Sequence, residues 1–280
     1  MQVIKTVAKM QEFGGIVRSG TASLGFVPTM GALHEGHLSL VRRAKAECDL
    51  VVASIFVNPL QFGPTEDFER YPRAFEDDCE RLRIEGVAAV FAPDAVEMYP
   101  AGAATTVSVA GLSDRLDGAS RPGHFTGVAT VVAKLLNAVS ADRAYFGQKD
   151  AVQLAVLRRM VQDLNLAVVL VGCPIVRDAD GLALSSRNRY LSVVERGQAL
   201  VIRRCLLEIK RLISEGENSS DFLVADGLRV LGGEPGVTVD YLAIVDADSL
   251  LAVERVTPGC LVAVAVWVGS TRLIDNFLTD

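Results

Sequence analysis

The sequence VPTMGALHEGH, from Val27 to His37, joins a short apolar run to a helical pattern. The apolar run begins at Leu24, and apolar residues recur at helical spacing from Leu38 onward. This order predicts a strand, a tight glycine-bearing turn and a helix. Such a turn leaves backbone N–H groups without partners at the helix start, where an anion is favoured. His34 and His37 lie three positions apart and share one helix face. We therefore expect a phosphate site at this turn.

Two other interpretations of His34 and His37 stay open. They are either ordinary surface or core histidines, or part of a metal site. The metalloprotease pattern needs histidines four positions apart, a zinc site needs a third ligand, and His124 is the remaining histidine of the sequence. The glycines Gly31 and Gly36 favour phosphate, because Gly36 omits a side chain where another group must approach closely.

Composition restricts the class of protein. Of the 280 residues, 50% are apolar and 22% are charged, which is typical of a packed globular protein rather than a disordered one. The net charge of -6 argues against a nucleic-acid partner. No apolar stretch is long enough to span a bilayer, and no signal-peptide core follows Met1. The five cysteines are scattered, as expected for reduced, buried residues. We therefore expect a cytoplasmic protein with no membrane or nucleic-acid partner.

Apolar runs of strand length alternate with helical stretches through the first two-thirds of the chain. The predicted strands are 25–28, 50–57, 87–92, 144–146 and 167–173, and the predicted helices are 38–47, 75–85, 127–138 and 151–164. This alternation predicts an α/β fold with a parallel sheet that helices cover on both faces. Right-handed crossovers bring the carboxyl ends of the strands to one edge, where open α/β sheets bind ligands.

The pattern changes after Cys173. A long helix is predicted for residues 193–214, a polar break for 215–220, and alternating antiparallel strands for 237–245 and 261–267. We therefore predict two domains, residues 1–175 and residues 176–280, of which the second is a smaller α+β domain.

The segment FGQKD, from Phe146 to Asp150, is a second candidate phosphate turn. Gly147 permits close approach, Lys149 supplies a point charge, and Asp150 can cap a helix that begins at Ala151. In isolation this pentapeptide is more often an ordinary glycine turn with a solvated lysine. It also lacks the longer glycine spacing of a Walker loop.

Two further segments carry polar groups that suit a nucleotide and a small substrate. In LSSRN, residues 184–188, two hydroxyls precede Arg187, whose guanidinium matches phosphate oxygens; the alternative is a helix start with a surface arginine. In NPLQF, residues 58–62, the amides of Asn58 and Gln61 can bind hydroxyl and carboxylate groups. The alternative there is a simple Asn-Pro turn.

Taken together, these turns indicate an ATP-using enzyme with a small polar second substrate. The sequence has no Gly-x-Ser-x-Gly elbow and no cysteine with an obvious histidine partner, so no covalent nucleophile is indicated. Catalysis would then depend on positioning and on charge stabilisation.

The same segments, with 54–62, 121–125 and 181–190, resemble the pantothenate synthetase family of pantoate–β-alanine ligases, within the class I aminoacyl-tRNA synthetase-like nucleotidyltransferases. The resemblance covers nearly the whole chain and is weakest over residues 203–236. It implies a Rossmann-like domain, a C-terminal α+β lid domain and a homodimer. It also implies a reaction of coenzyme A biosynthesis that uses ATP and Mg²⁺. In that reaction (R)-pantoate forms a pantoyl adenylate with release of pyrophosphate, and β-alanine then displaces AMP to give pantothenate.

The resemblance also assigns residues. His34, His37, Lys149 and Arg187 match catalytic positions, and His37 matches the family's proton donor, although we expect both histidines to donate hydrogen bonds to phosphate oxygens. The expected ATP contacts are Met30, Gly31, Ala32, Leu33, His34, Glu35, Gly36, His37, Gly147, Gln148, Lys149, Asp150, Val176, Leu184, Ser185, Ser186 and Arg187. Expected pantoate and β-alanine contacts are Asn58, Gln61 and Gln153, and Tyr71, Arg121 and His124 match the surroundings of β-alanine. No metal ligand is assigned, because the triphosphate and water supply most of the Mg²⁺ coordination.

An alternative function is nucleotidyl transfer to another small polar substrate. That reaction would need more cationic residues around the second substrate, whereas Asn58, Gln61 and Gln153 are neutral. A non-catalytic nucleotide-binding module is a third possibility, but such a module would be expected to have lost one of the phosphate turns.

Overall fold

The computed structural model describes residues 1–63 and 68–280. The strands in these residues are β1 (Gln2–Ile4), β2 (Leu24–Thr29), β3 (Leu50–Ile55), β4 (Ala89–Phe91), β5 (Arg143–Gly147), β6 (Val169–Cys173), β7 (Val237–Asp246), β8 (Cys260–Val268) and β9 (Thr271–Leu278). The helices are α1 (Val7–Ser19), α2 (Glu35–Glu47), α3 (Phe75–Ile84), α4 (Ala95–Met98), α5 (Asp117–Ser120), α6 (His124–Val139), α7 (Ala151–Asp163), α8 (Val193–Ser214) and α9 (Ser220–Gly232). Short 3₁₀ turns are formed by Pro59–Gln61, Gln148–Asp150 and Ser186–Tyr190.

The first six strands form one parallel sheet in the order β1-β4-β3-β2-β5-β6. In the register of β2 with β3, Thr29 pairs with Ile55, so these two strands end side by side. Because parallel strands point the same way, the segments that follow β2, β3 and β5 leave from the same edge of the sheet. The predicted α/β fold with a parallel sheet is confirmed.

Helices cover both faces of this sheet. Neighbouring residues of β2 show the two faces, since Phe26 belongs to the core beneath α6 and α7, whereas Val27 belongs to the core beneath α2 and α3. Successive side chains of a strand point to opposite faces, and both of these residues are fully buried. Each face therefore buries apolar surface against helices, which is the main stabilising contribution in such a layered fold.

The last three strands form an antiparallel sheet in the order β7-β8-β9. Helices α8 and α9 pack on one face, where Val262 and Val264 lie in the core with Leu206. On the opposite face, Leu261 and Ala263 join the core of the parallel-sheet unit. The C-terminal sheet is thus buried on both faces, which explains why β8 is apolar almost throughout.

Several boundaries differ from the sequence predictions. Helix α2 begins at Glu35 rather than at 38, because His34 already occupies the N-cap position. Helix α6 begins at His124 rather than at 127. The polar break predicted for 215–220 leads directly into α9, whose N-cap is Ser219. Helix α8 matches its predicted bounds.

The structure also bears on the predicted state of the cysteines and on the expected lack of a membrane-spanning helix. The cysteines Cys48, Cys79, Cys173, Cys205 and Cys260 are all buried free thiols, as predicted. None of the helices in the described residues combines the length and apolar character needed to cross a membrane.

Candidate active site

The two imidazoles lie side by side at the start of α2. His34 is the N-cap, and its Nδ1 accepts the Gly36 N–H at 3.2 Å. His37 Nδ1 accepts the His34 N–H at 3.3 Å, and the ring centroids are 4.1 Å apart. This reciprocal arrangement is a capping box in which both side chains are imidazoles. A Cβ on Gly36 would lie 2.9 Å from the His34 ring, so this ring is the group that requires glycine there.

Most of the backbone donors of this turn already have acceptors within the protein, so the prediction that they are free for an anion is wrong for these groups. The Gly31 N–H donates to Thr29 Oγ1 at 3.1 Å. The N–H groups of Ala32 and Leu33 donate to the two oxygens of Asp78 at 2.7 and 2.8 Å. Buried N–H groups must find partners within the protein, and a carboxylate is a strong acceptor. A phosphate bound here would therefore meet side chains rather than these backbone groups.

Sequence reasoning missed Asp78, which fixes the shape of the turn. Asp78 is 2% exposed and lies in the first turn of α3, where the helix dipole favours negative charge. The turn needs this support because Ala32 has a φ of 52°, a conformation that residues with a side chain rarely adopt. Asp78 is 46 residues from Ala32 in sequence, so no local pattern connects them.

Both histidines are neutral at neutral pH. Burial, with a further contribution from the Lys149 ammonium, lowers the pKa of His34 to about 4. Burial, followed by the neighbouring His34 ring, lowers the pKa of His37 to about 3. Since each Nδ1 accepts a backbone N–H, the ring hydrogen of each neutral imidazole is on Nε2. The site therefore contains two neutral Nε2–H donors.

The lowered pKa values of these histidines should make the folded protein less stable in mild acid, because protons then bind the unfolded chain preferentially. Their pKa values fall from 6.5 in the unfolded chain to about 4 and about 3 when folded, so below pH 6.5 the unfolded chain binds more protons. We expect the free energy of unfolding to decrease between pH 7.5 and pH 5 by about 2 kcal/mol for each histidine, and so by up to about 4 kcal/mol for the pair. Urea denaturation at both pH values measures it. The variant carrying His34→Gln and His37→Gln should lose less, and an equal loss in both proteins would contradict the assignment.

The amide segment, residues 58–62 after β3, contacts the histidine turn, residues 30–37. Asn58 is 1% exposed, and its Nδ2 donates to Gln61 Oε1 and to the Gly127 carbonyl, each at 3.1 Å. The Tyr99 hydroxyl donates to Asn58 Oδ1 at 2.7 Å. Gln61 Nε2 in turn contacts Met30 Sδ at 3.1 Å. Asn58 is thus buried behind Gln61 and orients its amide.

A cavity of about 530 Å³ lies between the edge of the parallel sheet and the C-terminal sheet. Seven of the predicted residues line it, namely Lys149, Asp150, Gln153, Ser185 and Arg187, with Arg121 and His124 from the expected surroundings of β-alanine. The other predicted residues do not belong to this wall, and they include His34, His37, Asn58, Gln61 and Val176. The histidines nevertheless lie within electrostatic reach of Lys149 and Asp150, whose charges act on the pKa of both rings. The two predicted phosphate turns therefore lie near each other.

Lys149 lies in the 3₁₀ turn that connects β5 to α7. Its side chain is 20% exposed, and Nζ lies 3.6 Å from Asp150 Oδ1. Asp150 occupies the N-cap position of α7, as predicted, but its side chain accepts no hydrogen bond from the start of the helix. The carboxylate lies beside the lysine instead, and the 3₁₀ turn continues directly into α7.

The segment 184–187 is tied to its surroundings by several hydrogen bonds. The Leu184 N–H donates to the Val176 carbonyl at 3.0 Å, which joins two predicted ATP positions. The Arg187 N–H donates to Ser185 Oγ at 3.3 Å. The hydroxyls of Ser186 and Tyr71 are 3.4 Å apart. Two residues of this segment, Ser185 and Arg187, line the cavity.

His124 connects the amide segment to the cavity. Its Nδ1 lies 2.7 Å from the Gln61 carbonyl oxygen, and its Nε2 lies 2.9 Å from Arg121 Nη1. Both His124 and Arg121 line the cavity. Of the residues expected near β-alanine, His124 therefore lies next to Gln61, and Arg121 lies next to His124.

Metal ligands are sparse in the site. Within residues 1–63 and 68–280, no group of three or more His, Cys, Asp or Glu side chains is arranged to hold a metal ion. In these residues, the zinc interpretation of His34 and His37 has no third ligand.

Comparison with known proteins identifies the family. The family described as Pantoate-beta-alanine ligase matches residues 2–278. The chain belongs to the pantoate–β-alanine ligase family. A pantothenate synthetase from Acidobacterium capsulatum is 64% identical over 259 residues, which cover 92% of this chain and 87% of that protein.

Solved structures of this family have the same fold. The crystal structure of pantothenate synthetase from Thermus thermophilus matches this chain with a TM-score of 0.94 and 48% sequence identity. The match covers 99% of each chain. The pantoate–β-alanine ligase of Francisella tularensis, whose structure is described as a complex with β,γ ATP and β-alanine, has a TM-score of 0.77. It is 31% identical, over 99% of this chain and 97% of that chain. The predicted family, fold class and enzyme class are therefore confirmed.

Proposed function

We propose that this pantoate–β-alanine ligase condenses (R)-pantoate with β-alanine to pantothenate through a pantoyl adenylate, with release of AMP and pyrophosphate. The observation that carries the proposal is the shared cavity wall of Lys149, Gln153, Ser185 and Arg187 in a chain of this family. A cationic pair and a neutral amide in one wall suit a triphosphate beside a small polar acid.

The first step places negative charge on phosphate oxygens. The pantoate carboxylate attacks the α-phosphorus of ATP, the bond to the leaving oxygen breaks, and pyrophosphate departs. Lys149 and Arg187 bring positive charge to these oxygens, and Ser185 and Ser186 donate hydroxyl hydrogen bonds. The turns 30–37 and 147–150, with 184–187 and Val176, enclose the nucleotide. Such a reaction depends on positioning and electrostatics more than on covalent chemistry.

His34 and His37 take part as hydrogen-bond donors. At neutral pH each ring is neutral and has its hydrogen on Nε2, because Nδ1 accepts a backbone N–H. We propose that both Nε2–H groups stabilise charge on the transferring phosphate, and that His37 retains its proton, since pyrophosphate can leave without one.

The amides hold the acid substrate. Gln61 and Gln153 bind the pantoate hydroxyl and carboxylate, and Asn58 acts through Gln61, whose Oε1 it engages at 3.1 Å. In the second step the β-alanine amine attacks the acyl carbon, and AMP leaves. Arg121 and His124, which line the cavity next to Gln61, lie where a second carboxylate can be held.

The described residues fit a metal ion that arrives with the nucleotide. Asp150 lines the cavity beside Lys149 with its side chain 49% exposed, and it would be the protein carboxylate next to the phosphates. Mg²⁺ keeps phosphate and water ligands and needs few from protein, so the absence of a ligand cluster in the described residues is compatible with it. When bound, it would neutralise charge on the triphosphate.

We further propose that the two predicted domains have different roles. Residues 1–175 bind ATP and pantoate, and residues 176–280 close the cavity as a lid. Ser185, Arg187 and Arg272 support this, because they line the cavity from the C-terminal part. A homodimer located in the cytoplasm is the assembly that we expect.

Isotope exchange tests the proposed function. We expect label to exchange between pyrophosphate and ATP when pantoate is present and β-alanine is absent, because the first step is reversible. Omission of pantoate is the control and should stop the exchange. Exchange that required β-alanine would contradict a separate adenylate step. Exchange with other small polar substrates but not with pantoate would favour the alternative nucleotidyltransferase.

A further inference from the structure

The edge strand β9 carries two adjacent polar side chains that are both buried. Asp275 and Asn276 are each 3% exposed. Asp275 accepts two hydrogen bonds from Arg177, at 2.6 and 2.8 Å, in the segment that leads into the C-terminal part. Burial of a polar side chain is costly unless its hydrogen bonds are satisfied, so each residue needs specific partners. Asn276 finds its partners outside the C-terminal sheet.

Asn276 binds the turn that carries Lys149. Its Nδ2 donates to the carbonyl oxygens of Gln148 and Lys149, at 3.0 and 2.9 Å. Its Oδ1 lies 3.3 Å from Gln148 Nε2, which donates to it. A short side chain with two donors and one acceptor is an asparagine, so the residue type matches the three contacts. These contacts join positions 127 and 128 residues apart in sequence.

The position of the Lys149 ammonium depends on this contact. The lysine stem is flexible, and Nζ has an ion pair with Asp150 at a loose 3.6 Å. The backbone of the turn therefore decides where the charge can reach. A displacement of about 1 Å in a group that contacts the transition state can cost about a hundredfold in rate.

We propose that Asn276 is a positioning residue for the adenylation step, which holds the Lys149 turn so that the ammonium reaches the phosphates. The C-terminal sheet then contributes to the first half-reaction through a hydrogen-bonded side chain, in addition to closing the cavity. This inference rests on the proposed function, because it assumes that Lys149 acts on ATP.

The variant Asn276→Ala tests the contact. We expect kcat for pantoate-dependent exchange between pyrophosphate and ATP to fall about 10–100-fold, with KM for pantoate changed less than threefold. Asn137→Ala is the matched control, because its amide donates to the Ala133 carbonyl within α6, and it should leave exchange unchanged.

A double-mutant cycle separates positioning from a general structural role. In the Lys149→Ala background, Asn276→Ala should change the remaining exchange rate less than about threefold, because the group it positions is gone. The same fold loss in both backgrounds would overturn the proposal. If Asn276→Ala does not fold, Asn276→Ser, which keeps one donor, takes its place with the same two outcomes.

The outcome for the wild-type protein distinguishes this inference from the proposed function. Failure of the wild-type protein to exchange label with pantoate would overturn the proposed function. Normal exchange in both the wild-type protein and Asn276→Ala would overturn the role of Asn276 alone.

Discussion

Replacement of Lys149 by alanine is expected to lower the rate of adenylate formation about 10³-fold, equivalent to about 4 kcal/mol of transition-state stabilisation. The lysine lines the cavity, and its ammonium is close enough to lower the pKa of both His34 and His37. The variant should fold normally, because the partly exposed pair with Asp150 at 3.6 Å contributes little stability. Single-turnover formation of AMP measures the rate, and urea denaturation measures stability.

The test of Lys149 needs a control variant and a second measurement, the pKa values of the two histidines. Lys9→Ala removes an exposed lysine from α1 and should leave the rate unchanged. In Lys149→Ala, the pKa values of His34 and His37 should rise, because the positive charge that lowers them is gone. NMR titration of the two imidazoles would show that rise. A variant with near-normal turnover, or with unshifted histidines, would contradict a shared phosphate site.

The parts of the site that sequence reasoning found are local in sequence. The turn at His34 and His37, the turn at Lys149 and the segment before Arg187 each combine a strand end or loop with polar groups a few residues apart. Parallel pairing then brings strand ends to one edge, which is a general property of the fold. The side-chain types and their neighbourhood could therefore be predicted before the structure.

The parts that were missed depend on contacts between distant segments. Helix α1 contains Gly14 and Gly15, which weaken a helical pattern. A Cβ on Gly14 would clash with the Val139 carbonyl oxygen, so the glycine permits the packing of α1 against α6. Strand β9 lacks a regular alternation because Asp275 and Asn276 are both buried and polar. In each case a tertiary contact overrides the local signal.

The same reason explains the error about the backbone of the histidine turn. A helix start with nothing bound was expected to present free N–H groups, which is true of an isolated helix. In the folded chain the carboxylate of Asp78 and the two imidazoles bind these donors instead. The donors left to a phosphate are then side chains with defined tautomers, which is a more selective arrangement than a helix terminus alone.

Asp78→Ala is expected to lower the free energy of unfolding by about 2–5 kcal/mol and to reduce turnover at least 10²-fold. The substitution leaves the N–H groups of Ala32 and Leu33 without their acceptor in a buried position. It also removes the support for the positive φ of Ala32, a conformation that persists when its surroundings enforce it. Urea denaturation and steady-state kinetics measure the two effects.

The neighbouring carboxylate, Asp77, provides the control for the Asp78 variants. Asp77→Ala removes an exposed acid from the same turn of α3 and should change stability by about 0.5 kcal/mol or less, with normal turnover. Asp78→Asn keeps one acceptor and should fall between the two alanine variants, because its amide group faces an N–H that it cannot accept. If Asp78→Ala lost stability but kept full turnover, the shape of the turn would not be needed for catalysis. Equal behaviour of Asp77→Ala and Asp78→Ala would mean that the two hydrogen bonds do not hold the turn.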